Sequence, residues 1–176
     1  MAPNADLEAR LRKVRLFLCD VDGVLTDGTV LMGSGVEKKV FEIRDGFGLR
    51  LMQSAGIRVG WISARPSPAT TERANDLKID FVRQSPELKV DSIQSLLGEV
   101  GLGWDDIAYM GDDVIDVGAL RRAGFSAVPA DARPEAKAVA HHICQAGGGR
   151  GAVRETVELI LKTQGLWETV IAKYAA

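Results

Sequence analysis

The sequence predicts an α/β fold built on a doubly wound parallel sheet. Two observations carry this. Short apolar runs of strand length, at 16–19, 57–62, 79–82, 107–110 and 125–128, alternate along the chain with longer amphipathic stretches. The first run, Leu16-Phe-Leu-Cys19, is apolar at every position, as in a strand buried on both faces.

Taken in order, residues 5–14 are charged and helical in pattern and lead into the first strand. Asp20-Val-Asp22-Gly23 then ends that strand in a loop. Residues 29–32 and 36–43 flank Gly33-Ser34-Gly35, which predicts a β-hairpin. Its strands are apolar on both faces, so the hairpin is expected to pack against another subunit. Asp45-Gly-Phe-Gly precedes a predicted helix over 49–54, closed by Gly56. Strand 57–62 runs into Ser63-Ala64-Arg65, and a helix is expected over 68–77. Strand 79–82 and helix 86–100 follow, with Leu88, Val90, Ile93, Leu96 and Leu97 on the apolar face. Strand 107–110 ends in Gly111-Asp112-Asp113, helix 114–123 leads to strand 125–128, and helix 134–140 to a short strand over 143–145. Gly147-Gly-Gly-Arg150-Gly opens a last helix over 152–163, and 165–176 is an apolar tail. The sum is one Rossmann-like domain over 1–176, with a β-hairpin insertion after the first strand and no linker or repeat.

The 176 residues suffice for one sizeable core. A net charge of -2 gives no basic footprint for nucleic acid and no polybasic membrane patch. Cys19 and Cys144, the two cysteines, suit no disulfide framework, and Cys19 reads as core. His141 and His142 are adjacent and lack ligand spacing, so packing or surface roles are expected. The first residues have no signal-peptide core and no run is long enough to span a bilayer, so a cytoplasmic, soluble protein is expected.

In a parallel sheet all strand ends of one kind lie at one edge, where ligands bind. Here that edge collects Asp20, Asp22, Ser63, the Lys89 region, Asp112 and Asp113. Acids beside an apolar strand are costly without a partner. Several carboxylates with few cations nearby point to a hard divalent cation such as Mg²⁺, which takes oxygen ligands and a substrate phosphate. Ser63 offers a hydroxyl to a phosphate oxygen and Lys89 a positive charge, so phosphoryl transfer is the expected chemistry. Asp116 either orients Lys89 or caps the helix after 113, Asp27 caps a turn or joins the site, and Trp61 is expected in the core.

The order of these pieces resembles the haloacid dehalogenase superfamily of phosphatases: Asp20-Val-Asp-Gly-Val-Leu-Thr-Asp-Gly28, then Ser63 with Arg65, then Lys89, then Gly111-Asp-Asp113. The resemblance implies that Asp20 is the nucleophile and Asp22 the general acid and base. It implies that Asp20, the Asp22 carbonyl and Asp112 hold Mg²⁺, with Asp113 outside them, and that Ser63 and Lys89 bind the phosphoryl oxygens. The intervals before Ser63 and before Lys89 are too short for a cap domain, so a cap-less site is expected. The hairpin, Phe41-Glu-Ile-Arg-Asp-Gly-Phe-Gly-Leu-Arg50, Gly111-Asp-Asp-Val-Ile-Asp116 and Gly148-Gly-Arg-Gly-Ala-Val-Arg-Glu155 narrow the resemblance to the 3-deoxy-D-manno-octulosonate 8-phosphate phosphatases. That family implies a phosphorylated sugar acid as substrate in lipopolysaccharide biosynthesis. It also implies a homotetramer built on hairpins 29–43, with neighbouring subunits closing the site and tails reaching it. Glu42, Arg44, Asp45, Gly46, Arg50, Arg65 and Arg73 would line the sugar pocket, with Arg150 contributing, and arginines suit a substrate bearing carboxylate and phosphate. Ile62-Ser-Ala-Arg65 stands where relatives commonly have Thr-Gly-Arg, and Glu42 where some have a neutral side chain. Three other readings stay open: a phosphatase for a nonulosonic acid 9-phosphate, a non-catalytic oligomerisation module of the same fold, and a phospho-accepting receiver domain. Motif order argues against the receiver, whose acid pair precedes its phosphorylated aspartate.

Overall fold

The computed structural model describes residues 5–33 and 35–175. Strands β1 (Leu16–Cys19), β4 (Arg58–Ser63), β5 (Phe81–Gln84), β6 (Ile107–Met110), β7 (Phe125–Val128) and β8 (His142–Ile143) form a six-stranded sheet in the order β5-β4-β1-β6-β7-β8. Every pairing in it is parallel. The expected α/β sheet is therefore present, and β1 lies inside it between β4 and β6. β2 (Leu31–Gly33) and β3 (Val36–Lys38) pair antiparallel as a separate ribbon. That hairpin is shorter than 29–43, and Ser34 at its predicted turn lies outside the described residues.

β1 shows why both faces must be apolar. Phe17 and Cys19 join one core with Leu11 of α1 (Ala5–Arg12), Leu49 and Met52 of α2 (Ile43–Ser54), Ala74 of α3 (Pro68–Leu77), and Val153, Val157 and Ile160 of α7 (Ala152–Thr163). Leu16 and Leu18 join the other with Ile93 and Leu96 of α4 (Lys89–Val100), Leu120 of α5 (Val117–Arg122) and Ala136 of α6 (Pro134–Lys137). Burying each such side chain is worth about 1.5–3 kcal/mol. Trp61 lies in the first core and is fully buried, as expected. Between β1 and β4 stand only the hairpin and α2, and between β4 and α4 only α3 and β5, so neither interval holds a cap.

Several elements shift or shorten at their ends: β5 lies two residues after the expected 79–82, α4 starts at 89 and not 86, α6 stops at 137 and not 140, and β8 covers 142–143 and not 143–145. Three others differ in kind. α2 begins at Ile43, not 49, so Asp45, Gly46 and Gly48 lie within it. Glycine disfavours helix interiors, but tertiary packing decides here: a Cβ on Gly46 would stand 2.6 Å from Arg73 Nη2, and one on Gly48 3.0 Å from Arg154 Cδ. The first turn of the predicted 114–123 helix is 3-10, Val114–Asp116, because the Asp116 carboxylate turns back to the loop before it. The apolar tail forms α8 (Trp167–Ala172), which buries Val170 against the chain's own core. Tyr174 beyond it meets Phe47 edge to face, with ring centres 5.4 Å apart.

The glycine run before α7 has a packing reason. A Cβ on Gly148 would stand 1.9 Å from the Gly23 carbonyl oxygen, and the Gly149 amide donates to Val24 O at 2.9 Å. The run therefore lies directly on the loop that follows Asp22. Gly148→Ala is expected to destabilise the protein by about 1–3 kcal/mol, as overpacking does, read as a lower midpoint of urea unfolding.

Candidate active site

Four strand ends meet at the carboxyl edge. Asp20 follows β1 and donates its amide to Met110 O at 2.9 Å, which fixes it beside β6. Its carboxylate is buried and lies 2.6 Å from Lys89 Nζ. Lys89 opens α4 and points inward while its neighbour Leu88 stays in solvent. The same ammonium meets Asp116 Oδ1 at 2.6 Å. Asp116 is fully buried and completely engaged: the Tyr109 hydroxyl donates to Oδ1 at 2.6 Å, and the amides of Asp112 and Asp113 to Oδ2 at 3.0 and 3.2 Å. It thus both orients Lys89 and shapes the loop, uniting the two readings offered for it.

Asp20, Asp112 and Asp116 bring carboxylate oxygens within 4.8 Å of one another. Three carboxylates against one ammonium leave two negative charges in a desolvated place. Burial, with added repulsion from Asp116 and Asp20, pushes the Asp112 carboxyl up to about 7. Burial also pushes Asp20 upward, against the pull of Lys89. Burial alone would lower Lys89, but Asp20 and Asp116 prevail and hold it above its ordinary value. Asp112 Oδ1 is enclosed with no hydrogen-bond partner among the described residues. An oxygen-only donor set with an orphaned carboxylate oxygen fits a hard divalent cation. The Asp113 carboxylate accepts from the Val114 amide at 2.7 Å.

The cleft above these groups, about 230 Å³, is lined by Asp20, Asp22, Ser63, Ala64, Arg65, Asp112, Asp113 and Ile115. Ser63 ends β4; its hydroxyl accepts from the Arg65 amide at 3.1 Å. Asp22 carries a partner that the sequence did not reveal: Lys39, just after β3, whose Nζ lies 2.8 Å from Asp22 Oδ1 and 3.1 Å from Thr70 Oγ1. Glu37 of the same strand binds the Ser67 hydroxyl at 2.6 Å and forms an ion pair with Arg65. In Val36-Glu-Lys-Lys-Val40 the alternation offers a lysine to each face, and only the strand's placement decides which one turns inward.

The remaining predicted pocket residues divide. Arg73 lies with Lys39 and Phe41 in a second, open cleft of about 560 Å³, its guanidinium 6.0 Å from the Phe41 ring centre. Gly46 sits beneath Arg73. Arg65 lines the first cleft. Asp45 is buried and accepts the Gly151 and Arg154 amides at 3.2 and 2.8 Å, so it caps the start of α7. Arg50 donates to Leu77 O at 3.2 Å and so ties α2 to α3. Arg44 is exposed and pairs with Glu42, which caps α2. Arg150, before α7, is 3.6 Å from Asp27 Oδ2. Within the single chain, neither Arg44 nor Arg50 lines either cleft.

No family model matches the chain. The 3-deoxy-D-manno-octulosonate 8-phosphate phosphatase of Yersinia pestis is 39% identical over 160 residues, covering 90% of this chain and 86% of the relative. The phosphatase of that name from Escherichia coli K12 is 37% identical over 163 residues, covering 92% and 87%. Among solved structures, the Moraxella catarrhalis 3-deoxy-D-manno-octulosonate 8-phosphate phosphatase, in complex with a magnesium ion, a phosphate ion and a KDO molecule, superposes with a TM-score of 0.93 at 35% identity, over 96% of this chain and 98% of that one.

The raised Asp112 carboxyl sets a pH dependence. Its folded-state value, about 7, exceeds the ordinary 3.8, so the folded state binds the proton more tightly and loses relative stability as pH rises between them. In chelator-treated protein the Tm is expected to fall from pH 4 toward pH 7. Asp112→Asn should flatten that fall, and saturating Mg²⁺ should restore stability at pH 7; thermal melts across this range check all three.

Proposed function

The chain belongs to the family of 3-deoxy-D-manno-octulosonate 8-phosphate phosphatases, and on that premise we propose that it hydrolyses this phosphorylated sugar acid to the free sugar acid and phosphate. One observation carries the reading. Asp20 is held by Lys89 at the floor of a cleft that Asp22, Ser63 and Asp112 also line. That arrangement suits in-line attack on a phosphate.

Asp20 attacks phosphorus through a carboxylate oxygen, and the bond from phosphorus to the sugar oxygen breaks. Asp22 gives that oxygen its proton. The aspartyl phosphate is then attacked by water, whose proton Asp22 takes, and Asp20 is released with phosphate. Lys89 offsets charge on the phosphoryl oxygens, which the Ser63 hydroxyl orients. Asp20, the Asp22 carbonyl and Asp112 would hold Mg²⁺, which would supply the positive charge that lets an anionic substrate approach these carboxylates. Lys39 positions the Asp22 carboxylate, and Arg73 with Arg65 offers guanidinium groups to the sugar carboxylate. The free sugar acid would serve lipopolysaccharide biosynthesis.

The hairpin supports assembly. Leu31, Met32 and Val36 are 67%, 68% and 59% exposed, and Val40 and Ile43 beside them more so. A soluble chain rarely leaves such a run uncovered, and we read it as the contact through which four copies join. Wild-type protein should have the mass of a tetramer by light scattering, and Leu31→Asp with Val36→Asp should lower it. An unchanged mass would exclude this face.

Phosphate release with Mg²⁺ is expected from octulosonate 8-phosphate in preference to a nonulosonate 9-phosphate, and Asp20→Asn should reduce it by at least about a thousandfold. Preference for the nine-carbon acid would retain the chemistry and reassign the sugar. No release from either would favour a non-catalytic module.

A further inference from the structure

Away from the cleft, three side chains of different donor type converge where β8 meets α7. His142 and Cys144 are two residues apart and so share one face of an extended segment. Glu155 stands in the first turn of α7. The His142, Cys144 and Glu155 ligand atoms all lie within 4.8 Å of one another. His142 Nε2 is enclosed, has no hydrogen-bond partner among the described residues, and lies 3.5 Å from Glu155 Oε1. Glu155 is already fixed, its oxygens accepting the Gln145 and Ala146 amides at 3.0 Å. The Cys144 thiol is buried and touches Thr156 Oγ1 at 3.3 Å and Ala152 O at 3.6 Å.

We propose that His142, Cys144 and Glu155 form a second metal site, selective for Zn²⁺ over Mg²⁺, that clips β8 to the start of α7. One nitrogen, one sulfur and one carboxylate oxygen match the ligand types of Zn²⁺, with water completing a tetrahedron. Mg²⁺ asks for oxygen ligands in an octahedron and does not compete for this set. Binding replaces the thiol proton, which leaves to solvent, with a sulfur–metal bond. The orphaned imidazole nitrogen gains a partner, and the amides that hold Glu155 keep its carboxylate in place from outside the metal. The clip spans residues 142–155, the segment whose Gly148 and Gly149 press on the Gly23 loop. Zn²⁺ bound there stabilises the seat of the active-site loop without entering the active site.

The test titrates Co²⁺ into full-length protein saturated with Mg²⁺, which fills the active-site carboxylates. One equivalent per chain should give a thiolate-to-cobalt charge-transfer absorption, displaced by Zn²⁺. Cys144→Ser should abolish the band, and His142→Asn, at a partly exposed position, should weaken Co²⁺ binding at least about tenfold. Retained Mg²⁺-dependent phosphate release shows that both variants fold, and Zn²⁺ should raise the Tm of wild type but not of Cys144→Ser. No charge-transfer band in wild type, or an equal band in Cys144→Ser, would overturn the site. Neither result bears on the phosphatase reading.

Discussion

The buried ammonium of Lys89 is the contact on which the site depends. It lies 2.6 Å from Asp20 and 2.6 Å from Asp116, in a place where an unpaired charge of either sign would be expelled. Through Asp116 it also fixes the loop after β6, because that carboxylate accepts the amides of Asp112 and Asp113. One cation thereby sets three strand ends relative to one another. It still leaves the carboxylates in excess, an arrangement that suits a divalent cation, while burial first, and repulsion from Asp116 and Asp20 second, raise Asp112. A cation bound among these carboxylates would offset their repulsion, so folding and metal binding would share one free energy.

The second constraint is how a cap-less site shapes its surroundings. The hairpin supplies what an inserted domain would otherwise bring. One face sends Lys39 to Asp22 and Glu37 to Arg65 and Ser67. The other presents Leu31 and Val36 to solvent, while Met32, paired with Glu37 on the first face, is exposed as well. A ribbon of two short strands is marginal by itself, so its position depends on those ion pairs. Arg44 and Arg50 line neither cleft within one chain.

The acids at strand ends were legible because two local signals coincided. All-apolar runs mark buried parallel strands, and polar residues directly after them mark the ligand-binding edge. Asp20, Asp22, Ser63, Lys89 and Asp112 all followed from that rule and meet in space. Lys39, Glu37 and Tyr109 did not. Lys39 and Glu37 act across separations of 17 and 30 residues, and Tyr109 looks like any core aromatic until its hydroxyl finds Asp116. The start of α2 escapes the sequence for a related reason: glycines at 46 and 48 argue for a loop locally, whereas contact with Arg73 and Arg154 makes them the residues that fit a helix.

By itself the sequence determined the alternating α/β order, the doubly apolar central strand, the acid-bearing edge and the shortness of the intervals that leave no cap. Each is a matter of period, composition or chain length, which neighbours in sequence settle. Tertiary structure alone decided which lysine of the hairpin turns inward, that Asp45 caps α7 and Arg50 ties two helices, and that His142, Cys144 and Glu155 converge. Those outcomes depend on the direction of a side chain after distant elements pack. Charge and hydrogen-bonding capacity are written in the residue; the partner that satisfies them is written in the fold.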